Sequence, residues 1–405
     1  MKSLYLCPIL LYIAFLSLSC DDPNSTPGVW DSGDEGALAP FVTGIDPPDS
    51  AFAGSDEITI YGGNFGEDKD GVFVYFNTGL GEVIAAENSS IIVIPPNIIS
   101  DSITIKIAAH GAFQFAQYQK NYILYPRIIK YGAFDAMDES IWGLEADNDE
   151  NVYVGLSSFP EGTIDKLSPP SGARESAFID AVLQTPFSMR IGPDDHIYYV
   201  DGANPFIIKH DLETGSPSYN TLPGIAFDLD FDTNGNLYCG GTGQNLYKVQ
   251  TDLSSVVEAD YTEISIRAVR VHDGYVYVGG NYTGEEEGIP NVGIWRNQIL
   301  SSDGSLGEKE MYLDWSEHAG ENSNITCITF DEEGIMYVSS DADVAIATID
   351  SEMKFSQLYP NILSAPITKM TWGSGDYLYL NFRGAPRALY RLEMGVKGAP
   401  YYGRQ

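Results

Sequence analysis

Basic residues are scarce in this chain of 405 residues, which has 22 Lys and Arg against 57 Asp and Glu, a formal net charge of −35. Nucleic acids and anionic membrane surfaces are themselves polyanions, so a chain of this charge is repelled by both. The charge balance therefore argues against a nucleic-acid-binding protein and against adsorption to an anionic bilayer. An acidic surface that keeps an exported protein in solution is a sufficient explanation for the charge.

Motifs of metal and nucleophilic chemistry are missing as well. The five histidines show no HExxH or other ligand spacing, and no Gly-x-Ser-x-Gly precedes a helix. The turn from Asp230 to Gly235 offers oxygen atoms at alternate positions, as a calcium loop does. Its twelfth position is Gly241, however, where a calcium loop needs a bidentate glutamate. We therefore predict no catalytic residue, no metal site and no cofactor.

A long apolar run occurs only near the start of the sequence. Met1-Lys2 precede a strongly apolar stretch from Leu4 to Leu18, which is followed by Ser19-Cys20. A charged start, a short apolar core and small residues before a cysteine are typical of a secretory signal rather than a membrane span. Residues 1–20 are accordingly predicted to be a signal peptide.

The end of this signal resembles the lipobox of bacterial lipoproteins. Its residues are Leu16-Ser17-Leu18-Ser19-Cys20, with Ser17 at the position where Leu is usual. The resemblance implies cleavage before Cys20 and lipidation of that cysteine. An ordinary signal peptide with an incidental cysteine is the alternative interpretation.

The residues after Cys20 indicate where in the cell envelope the protein is placed. Asp21-Asp22 resemble the surface-export signal of Bacteroidota-type lipoproteins, although in other bacteria an Asp at this place implies retention in the inner membrane. Residues 21–39 are rich in Asp, Gly, Pro and Ser and have little to bury, so they are predicted to form a flexible tether. We expect a protein held in the outer membrane by its lipid anchor and exposed at the cell surface.

A segment of short strands follows the tether. From Pro40 to Tyr125, β-branched runs separated by Gly and Pro turns predict five or more strands, which suggest a small antiparallel sandwich. The opening Val42–Pro48, Ala53-Gly54-Ser55, the run Ile58–Gly66 and Pro95-Pro96 resemble the IPT/TIG family of immunoglobulin-like domains. The resemblance implies an Ig-like domain over residues 40–126 that serves as a spacer or a protein-contact module.

The rest of the chain repeats one unit, in which a turn leads into a strand centred on a tyrosine. The intervals between these tyrosines are mostly about 40 residues, the period of four-stranded propeller blades. A third strand in each copy usually carries a cation. The central tyrosines are Tyr153, Tyr198, Tyr238, Tyr277, Tyr337 and Tyr379, and the third-strand residues are Lys166, Lys209, Lys248, Arg296, Thr348 and Arg391.

These repeats predict a six-bladed β-propeller over residues 127–405, so the fold class is all-β. The blades are similar to those of NHL-type propellers. The longest interval, from Tyr277 to Tyr337, is attributed to a loop and hairpin insertion between Gly280 and Asn322. Either residues 127–134 or residues 399–402 are expected to supply the strand that closes the ring, which removes an exposed sheet edge.

Two cysteines remain once Cys7 leaves with the signal and Cys20 carries lipid. Cys239 and Cys327 fall on strands of the third and fifth blades, which are not neighbours. A disulfide between them is therefore disfavoured, and two buried thiols are predicted.

One face of the predicted ring gathers aromatic and polar side chains. In propellers of this kind the first strand of each blade lines the axis, and loops between second and third strands meet on one face. Aromatic rings rimmed by amide and guanidinium donors suit sugars or the loops of a protein partner. The alternative is that individual aromatics fill gaps between blades. The predicted ligand-binding residues are Trp142, Phe159, Phe187, Asn204, Phe206, Asn281, Tyr282, Phe382 and Arg383.

The order of signal, IPT/TIG spacer and propeller is similar to that of surface glycan-binding lipoproteins that serve outer-membrane transporters. This resemblance implies a non-catalytic protein that binds an extracellular polysaccharide or oligosaccharide, with an outer-membrane transporter complex as partner. Protein–protein adhesion or envelope assembly is one alternative.

An extracellular glycan hydrolase or lyase is the other alternative. Propeller enzymes of the gluconolactonase type hold a metal over the axis, and Glu145, Asp228 and Asp230 are the residues that would have to do so here. The first strands otherwise offer a set of cations, which disfavours a divalent metal. These cations are Arg190, Arg267, Arg270 and Lys369.

Overall fold

The computed structural model describes residues 36–242 and 245–404. The predicted signal peptide, Cys20 and the tether up to residue 35 lie outside the described residues. The described residues form strands β1 to β35 with one short α-helix and two turns of 3₁₀ helix, and no helix among them is long and apolar enough to cross a membrane. The predicted all-β class is confirmed.

The first eleven strands pack as three small sheets. Their orders are β1-β3-β7-β6, β10-β9-β4-β5 and β2-β11-β8. The strands are β1 Phe41–Asp46, β2 Ser50–Phe52, β3 Ile58–Gly63, β4 Val72–Phe76, β5 Gly79–Leu80, β6 Glu82–Glu87, β7 Ser90–Ile94, β8 Ser100–Ile103, β9 Ile105–Ala109, β10 Ala116–Gln117 and β11 Tyr122–Tyr125. A 3₁₀ turn, Lys69–Gly71, precedes β4.

The core of this sandwich is formed by apolar side chains at every second position of its strands. In β4, Val72, Val74 and Phe76 are buried, whereas Phe73 between them is exposed. The pairing is antiparallel except between β2 and β11, which run parallel. The expectation of a purely antiparallel sandwich is corrected there, because the last strand runs alongside the second strand in the same direction.

Arg127 joins the sandwich to the strands that follow. Its guanidinium donates to Ser55 Oγ at 2.7 Å and to the carboxylate of Asp56, and it also donates to the carbonyl of Glu393 at 2.8 Å. The same group lies 4.2 Å from the ring centroid of Phe52. A largely buried cation thus ties together residues from both halves of the chain.

The remaining strands form six four-stranded sheets, the blades of a propeller. Blades 1 to 3 are β13 Ser140–Ala146, β14 Val152–Ser157, β15 Thr163–Ser168, β16 Ala173–Asp180; β17 Pro186–Ile191, β18 His196–Asp201, β19 Phe206–Asp211, β20 Pro217–Thr221; and β21 Ala226–Phe231, β22 Leu237–Gly241, β23 Leu246–Val249, β24 Ser255–Ala259.

Blades 4 to 6 continue the pattern. They are β25 Ile264–His272, β26 Tyr275–Tyr282, β27 Val292–Ile299, β28 Leu306–Asp314; β29 Ile325–Phe330, β30 Met336–Ser340, β31 Ile346–Ile349, β32 Phe355–Gln357; and β33 Ile367–Trp372, β34 Tyr377–Phe382, β35 Ala388–Glu393 with β12 Ile128–Lys130.

The ring is closed by β12. This strand pairs antiparallel with β35, so that Ile128 faces Leu392 and Lys130 faces Tyr390. Of the two expected closing segments, residues 127–134 therefore supply the strand. Residues 399–402 do not join the sheet, and the chain ends instead in a 3₁₀ turn, Tyr402–Arg404.

The central tyrosines are buried in every blade, with at most 8% of their surface exposed. Each one pairs across the sheet with the predicted third-strand residue, for example Tyr198 with Lys209 and Tyr379 with Arg391. Opposed side chains on one face of a sheet contact each other, and the Lys209 ammonium lies 5.3 Å from the Tyr198 ring centroid. The repeat thus places a cation opposite the central tyrosine in five of the six blades, and in blades 1 and 2 that cation lies over the ring of this tyrosine.

The long interval in blade 4 includes a loop, as predicted, together with longer strands and a short helix. Its strands β25 to β28 have eight or nine residues each. The loop 283–291 and helix α1, Trp315–Ala319, take up the rest. Since β27 and β28 are the regular third and fourth strands of the blade, no hairpin is added within the described residues.

Cys239 and Cys327 are both buried and free of disulfide bonds. Cys239 lies in β22 and Cys327 in β29. The predicted pair of buried thiols is confirmed.

Truncation of a central tyrosine tests whether this position of the repeat belongs to the core of its blade. Tyr238 is fully buried and its hydroxyl donates to the carbonyl of Gly304 at 2.9 Å. We expect Tyr238→Ala to lower the free energy of unfolding by about 3–5 kcal/mol because it leaves a cavity. Tyr238→Phe, which keeps the ring, should cost about 1 kcal/mol.

The measurement is urea unfolding followed by tryptophan fluorescence, since Trp142, Trp295, Trp315 and Trp372 all lie in the propeller. An unchanged midpoint in Tyr238→Ala would contradict a core role for this tyrosine.

Candidate functional site

Every inner strand of the propeller breaks its hydrogen-bonded ladder near its first residues. The pairing of the first and second strands shifts register at one place in each blade. Such a bulge leaves a residue unpaired and re-aims its side chain. The residues skipped by the pairing are Trp142 with Gly143, Phe187, Phe227, Arg267, Thr326 and Thr368.

The six bulged side chains line a single hollow at the mouth of the axis. Asn324, Ile325 and Asp341 complete its wall. The hollow has a volume of about 190 Å³, below the roughly 300–1,000 Å³ of sites that enclose a whole drug-sized ligand. It therefore has room for one ring-sized group, with the remainder of a larger ligand lying over the rim.

Aromatic rings form one side of this hollow. Trp142 and Phe187 lie 5.1 Å apart between ring centroids, and Phe187 and Phe227 lie 5.4 Å apart. These tilted contacts are in the range of favourable aromatic pairs. The three rings, one from each of blades 1 to 3, form a continuous aromatic arc.

An arginine flanks each end of the aromatic arc. The Arg383 guanidinium carbon lies 3.4 Å from the Trp142 ring centroid, and that of Arg267 lies 4.9 Å from the Phe227 centroid. Arg383 also donates to the carbonyl of Ile141 at 2.9 Å. Burial, and then the charge of Arg387, lower the pKa of Arg383 to about 10.

The opposite side of the hollow is polar. The backbone N–H and the Nδ2 of Asn324 donate to the Asp341 carboxylate at 2.8 and 2.7 Å. Thr368 Oγ1 donates to the carbonyl of Asn381 at 3.4 Å. Blades 4 to 6 thus face the aromatic arc with an arginine, an amide, a carboxylate and hydroxyl groups.

The axis below the hollow is filled by ion pairs. The Lys369 ammonium lies 3.3 Å from Asp228 Oδ1, and Asp228 also accepts from the backbone N–H of Val269 at 2.9 Å. The same ammonium is 5.3 Å from the ring centroid of Phe187. This layer forms a charged floor directly beneath the aromatic arc.

A second layer of charges lies deeper. Asp230 accepts from Arg190 at 3.2 Å and from Arg270 at 2.8 Å, and Arg190 also contacts Glu145 at 3.2 Å. All four side chains are at most 4% exposed. Such groups are stable in the interior only when they are paired and hydrogen-bonded.

The end of the chain closes the axis on the far face. The Tyr401 ring is buried, and the guanidinium carbons of Arg190, Arg270 and Arg404 lie 4.8, 3.9 and 4.6 Å from its centroid. Its hydroxyl is 3.1 Å from Thr329 Oγ1. The segment 399–402, expected from sequence as a possible closing strand, packs instead as a plug at the axis.

Three of the predicted ligand-binding residues meet at the hollow. Trp142 and Phe187 line it, and Arg383 stacks on Trp142. Asn281 lies one step outside, because its Nδ2 donates to the side-chain oxygen of Asn324.

The other five predicted residues are not among those that line the hollow. Phe159 is 84% exposed on the loop between β14 and β15. Asn204 Nδ2 donates to Asp201 at 3.0 Å and so holds a loop in place. Three aromatics pack against other elements instead: Phe206 against Tyr219, Tyr282 against the core around Trp295, and Phe382 against Tyr390.

Sequence reasoning missed Phe227, Asn324, Thr326, Asp341 and Thr368, and it noted Arg267 only as an axial cation. A signal for the bulged residues was present, since most of them lie one or two places after the first apolar residue of an inner strand, whereas Arg267 lies three places after Ile264. The repeat alignment identifies that position once it is known that a bulge turns it toward the axis.

The carboxylates of the inner strands are the groups that would have to hold a metal ion at the axis. Glu145, Asp228 and Asp230 each contact a cation. No group of three His, Cys, Asp or Glu residues within 36–242 and 245–404 is placed to hold a metal ion. Asp232, in the calcium-like turn, accepts from the backbone N–H groups of Asn234 and Asn236.

Comparison with known proteins agrees with this architecture. Residues 40–122 match the family model of the IPT/TIG domain. The class is thus an all-β protein in which an IPT/TIG domain precedes a six-bladed propeller. No curated protein matches the chain.

Several solved structures from Bacteroides are similar. An auxiliary nutrient binding protein from Bacteroides thetaiotaomicron shares 11% identity at a TM-score of 0.52, covering 87% of this chain and 97% of that one. A second auxiliary nutrient binding protein, from Bacteroides ovatus, shares 12% at 0.51, covering 93% and 100%. A putative phosphatase from Bacteroides thetaiotaomicron shares 11% at 0.55, covering 90% and 98%. At such identities the likeness concerns the fold.

Removal of one axial cation tests the ion-pair layer. Arg270 is fully buried and paired with Asp230, whereas Arg296 pairs with Glu310, which is 54% exposed. We expect Arg270→Met to destabilise the propeller by about 3 kcal/mol or more, because it removes one of the two cations that pair with the buried Asp230 carboxylate. Arg296→Met, in the same blade, should cost at most about 1 kcal/mol.

Chemical denaturation of both variants gives the comparison. Equal losses of unfolding free energy in the two variants would show that burial does not make the axial ion pair more important for stability than the surface pair.

Proposed function

We propose that this protein is a non-catalytic binding protein that holds a carbohydrate in the axial hollow of its propeller. The observation that carries the proposal is the two-sided wall of that hollow. The Trp142–Phe187–Phe227 arc presents flat apolar faces, and Asn324, Asp341 and the threonines present hydrogen-bonding groups opposite.

This division suits the chemistry of a sugar ring. One face of a pyranose is apolar and packs on aromatic side chains, while its hydroxyl groups exchange hydrogen bonds with planar polar groups. Asp341 is exposed and Asn324 partly so, and both remain accessible to a ligand. The small volume supports recognition of a single residue within a longer chain.

The carboxylates support binding rather than catalysis. Glycoside hydrolysis uses two carboxyl groups that face each other across a cleft. Asp341 is the one carboxylate among the described residues that line the hollow. The axial carboxylates Glu145, Asp228 and Asp230 form ion pairs with arginine or lysine side chains and are at most 1% exposed.

The proposed location is the cell surface, through a lipid on Cys20. The lipobox-like sequence and Asp21-Asp22 support this address, and two of the similar Bacteroides structures carry the name auxiliary nutrient binding protein. An outer-membrane transporter complex is the proposed partner, to which the sandwich would connect the propeller as a spacer.

A second candidate function is contact with a protein partner. It is favoured by Phe113 and Phe115, which are each 63% exposed on the loop between β9 and β10 of the sandwich. Apolar side chains exposed in this way occur at protein interaction sites.

The carbohydrate proposal is tested by truncating the aromatic arc. We expect Trp142→Ala to lower polysaccharide affinity about tenfold or more, because stacking on the indole is lost. Affinity electrophoresis against a panel of neutral and acidic polysaccharides gives the measurement, and thermal melting reports whether the variant folds.

Phe159→Ala is the matched control, since this ring lies on the same face but outside the hollow. Retardation that persists in Trp142→Ala, or that is lost in Phe159→Ala, would place the site elsewhere. If no polysaccharide retards the wild-type protein, carbohydrate binding is abandoned in favour of protein contact.

The lipid anchor has its own test. Expressed in a Bacteroides host, the wild-type protein should incorporate labelled palmitate and sediment with membranes. Cys20→Ser should lose both properties, since the thiol that carries the lipid is gone. Unchanged labelling of the variant would refute lipidation at Cys20.

A further inference from the structure

We propose that the carbohydrate bound in the axial hollow is acidic and that its carboxylate or sulfate group is held by Arg267 and Arg383. This inference rests on the proposed function and specifies its ligand class. It concerns the two ends of the aromatic arc, where each arginine is stacked on a ring but has no carboxylate partner among the described residues.

The two arginines at this site differ from most arginines of the chain because they form no ion pair with a described carboxylate. The chain carries 57 acidic residues, so carboxylates are abundant. Six arginines form ion pairs with them: Arg127, Arg174, Arg190, Arg270, Arg296 and Arg404. Among the described residues four arginines do not, and Arg267 and Arg383 flank the hollow while Arg387 lies beside Arg383. Three of the four described arginines without an ion pair thus lie at or beside the hollow.

Arg267 is the more accessible of the two. It is the bulged residue of blade 4 and is exposed, and its guanidinium stacks over Phe227 without a hydrogen bond to another described residue. The stacking leaves its N–H donors at the edge of the plane free. A planar fork of donors suits bidentate binding of a carboxylate or sulfate.

Arg383 is half-buried and positioned more firmly. It lies over Trp142 and donates once, to the carbonyl of Ile141. Burial and the neighbouring charge of Arg387 already disfavour its charged form, and this lowers its pKa to about 10. An anion bound here would relieve that penalty, because an opposite charge stabilises the guanidinium.

Positive side chains outnumber negative ones among the described residues at the hollow. Asp341 is the one carboxylate of the lining and accepts from two N–H groups of Asn324, whereas Asp228 in the floor is paired with Lys369. The aromatic arc lies between the two arginines, so a ligand that reaches an arginine also covers a ring. That combination favours an acidic sugar over a bare anion.

The test compares charged and neutral polysaccharides on the full-length mature protein. The probes are polygalacturonate, which carries carboxylates, dextran sulfate, which carries sulfates, and neutral dextran, with poly-glutamate as an acidic peptide. We expect retardation by one of the acidic polysaccharides, weakened by salt. Because the chain itself is strongly negative, a polyanion binds only where cations are locally concentrated.

Arg267→Gln and Arg383→Gln should each weaken that binding by about tenfold or more, since each removes a charge-assisted contact. Arg267→Gln is the cleaner variant because its guanidinium stacks on Phe227 and forms no hydrogen bond or ion pair with another described residue. Arg391→Gln is the matched control, as Arg391 also lacks a carboxylate partner but stacks on Tyr377 and donates to Pro170 on another surface. Its affinity should equal that of the wild type.

The outcomes separate this inference from the proposed function. Binding of neutral dextran alone, lost in Trp142→Ala, would leave carbohydrate binding in place and overturn the acidic ligand. Acidic binding that survives both arginine substitutions would also overturn it. Equal binding of poly-glutamate, with the same arginine dependence, would replace the sugar by an acidic peptide. Failure of every polysaccharide would end both proposals.

Discussion

The bulge near the start of each inner strand is the constraint on which the site depends. A strand paired without interruption would direct successive side chains alternately to its two faces, toward the neighbouring blades. Skipping one residue turns Trp142, Phe187, Phe227, Arg267, Thr326 and Thr368 toward the axis instead. The same backbone feature thus recurs in all blades, while the residue that occupies it differs, and this difference gives the hollow an aromatic side and a polar side.

Backbone groups on the inner strands form hydrogen bonds with side chains of other blades. The carbonyl of Ile141 accepts from Asn381 at 3.0 Å and from Arg383, and the N–H of Val269 donates to Asp228. Buried backbone groups without partners would be costly. The polar and charged residues of the axis therefore stabilise the inner strands, and Tyr401 with its three stacked arginines completes the layer on the far face.

The repeat was visible in the sequence because it follows local rules. The turn before each central tyrosine needs short polar residues and glycine, as in Asp232–Gly235, where Gly235 has a φ of 81°. The strand that follows alternates in period two. The third-strand cation is predictable from the same repeat, and Tyr198 opposite Lys209 shows why, since register fixes which side chains meet. In blade 4 the added length went into longer strands, a loop and a short helix, which periodicity alone does not distinguish from an inserted hairpin.

By itself the sequence determined the fold class, the number of blades, the burial of the central tyrosines and the presence of aromatics on the inner strands and loops. Tertiary structure decided which of those aromatics share a site: Trp142 and Phe187 point to the axis, whereas Phe206 and Phe382 pack on Tyr219 and Tyr390. It also decided that the end of the chain plugs the axis while Ile128–Lys130 closes the ring. The physical reason is that a one-residue shift in pairing reverses the direction of a side chain, and that shift lies in the pairing of the first two strands of each blade, which the residue pattern of one strand does not specify.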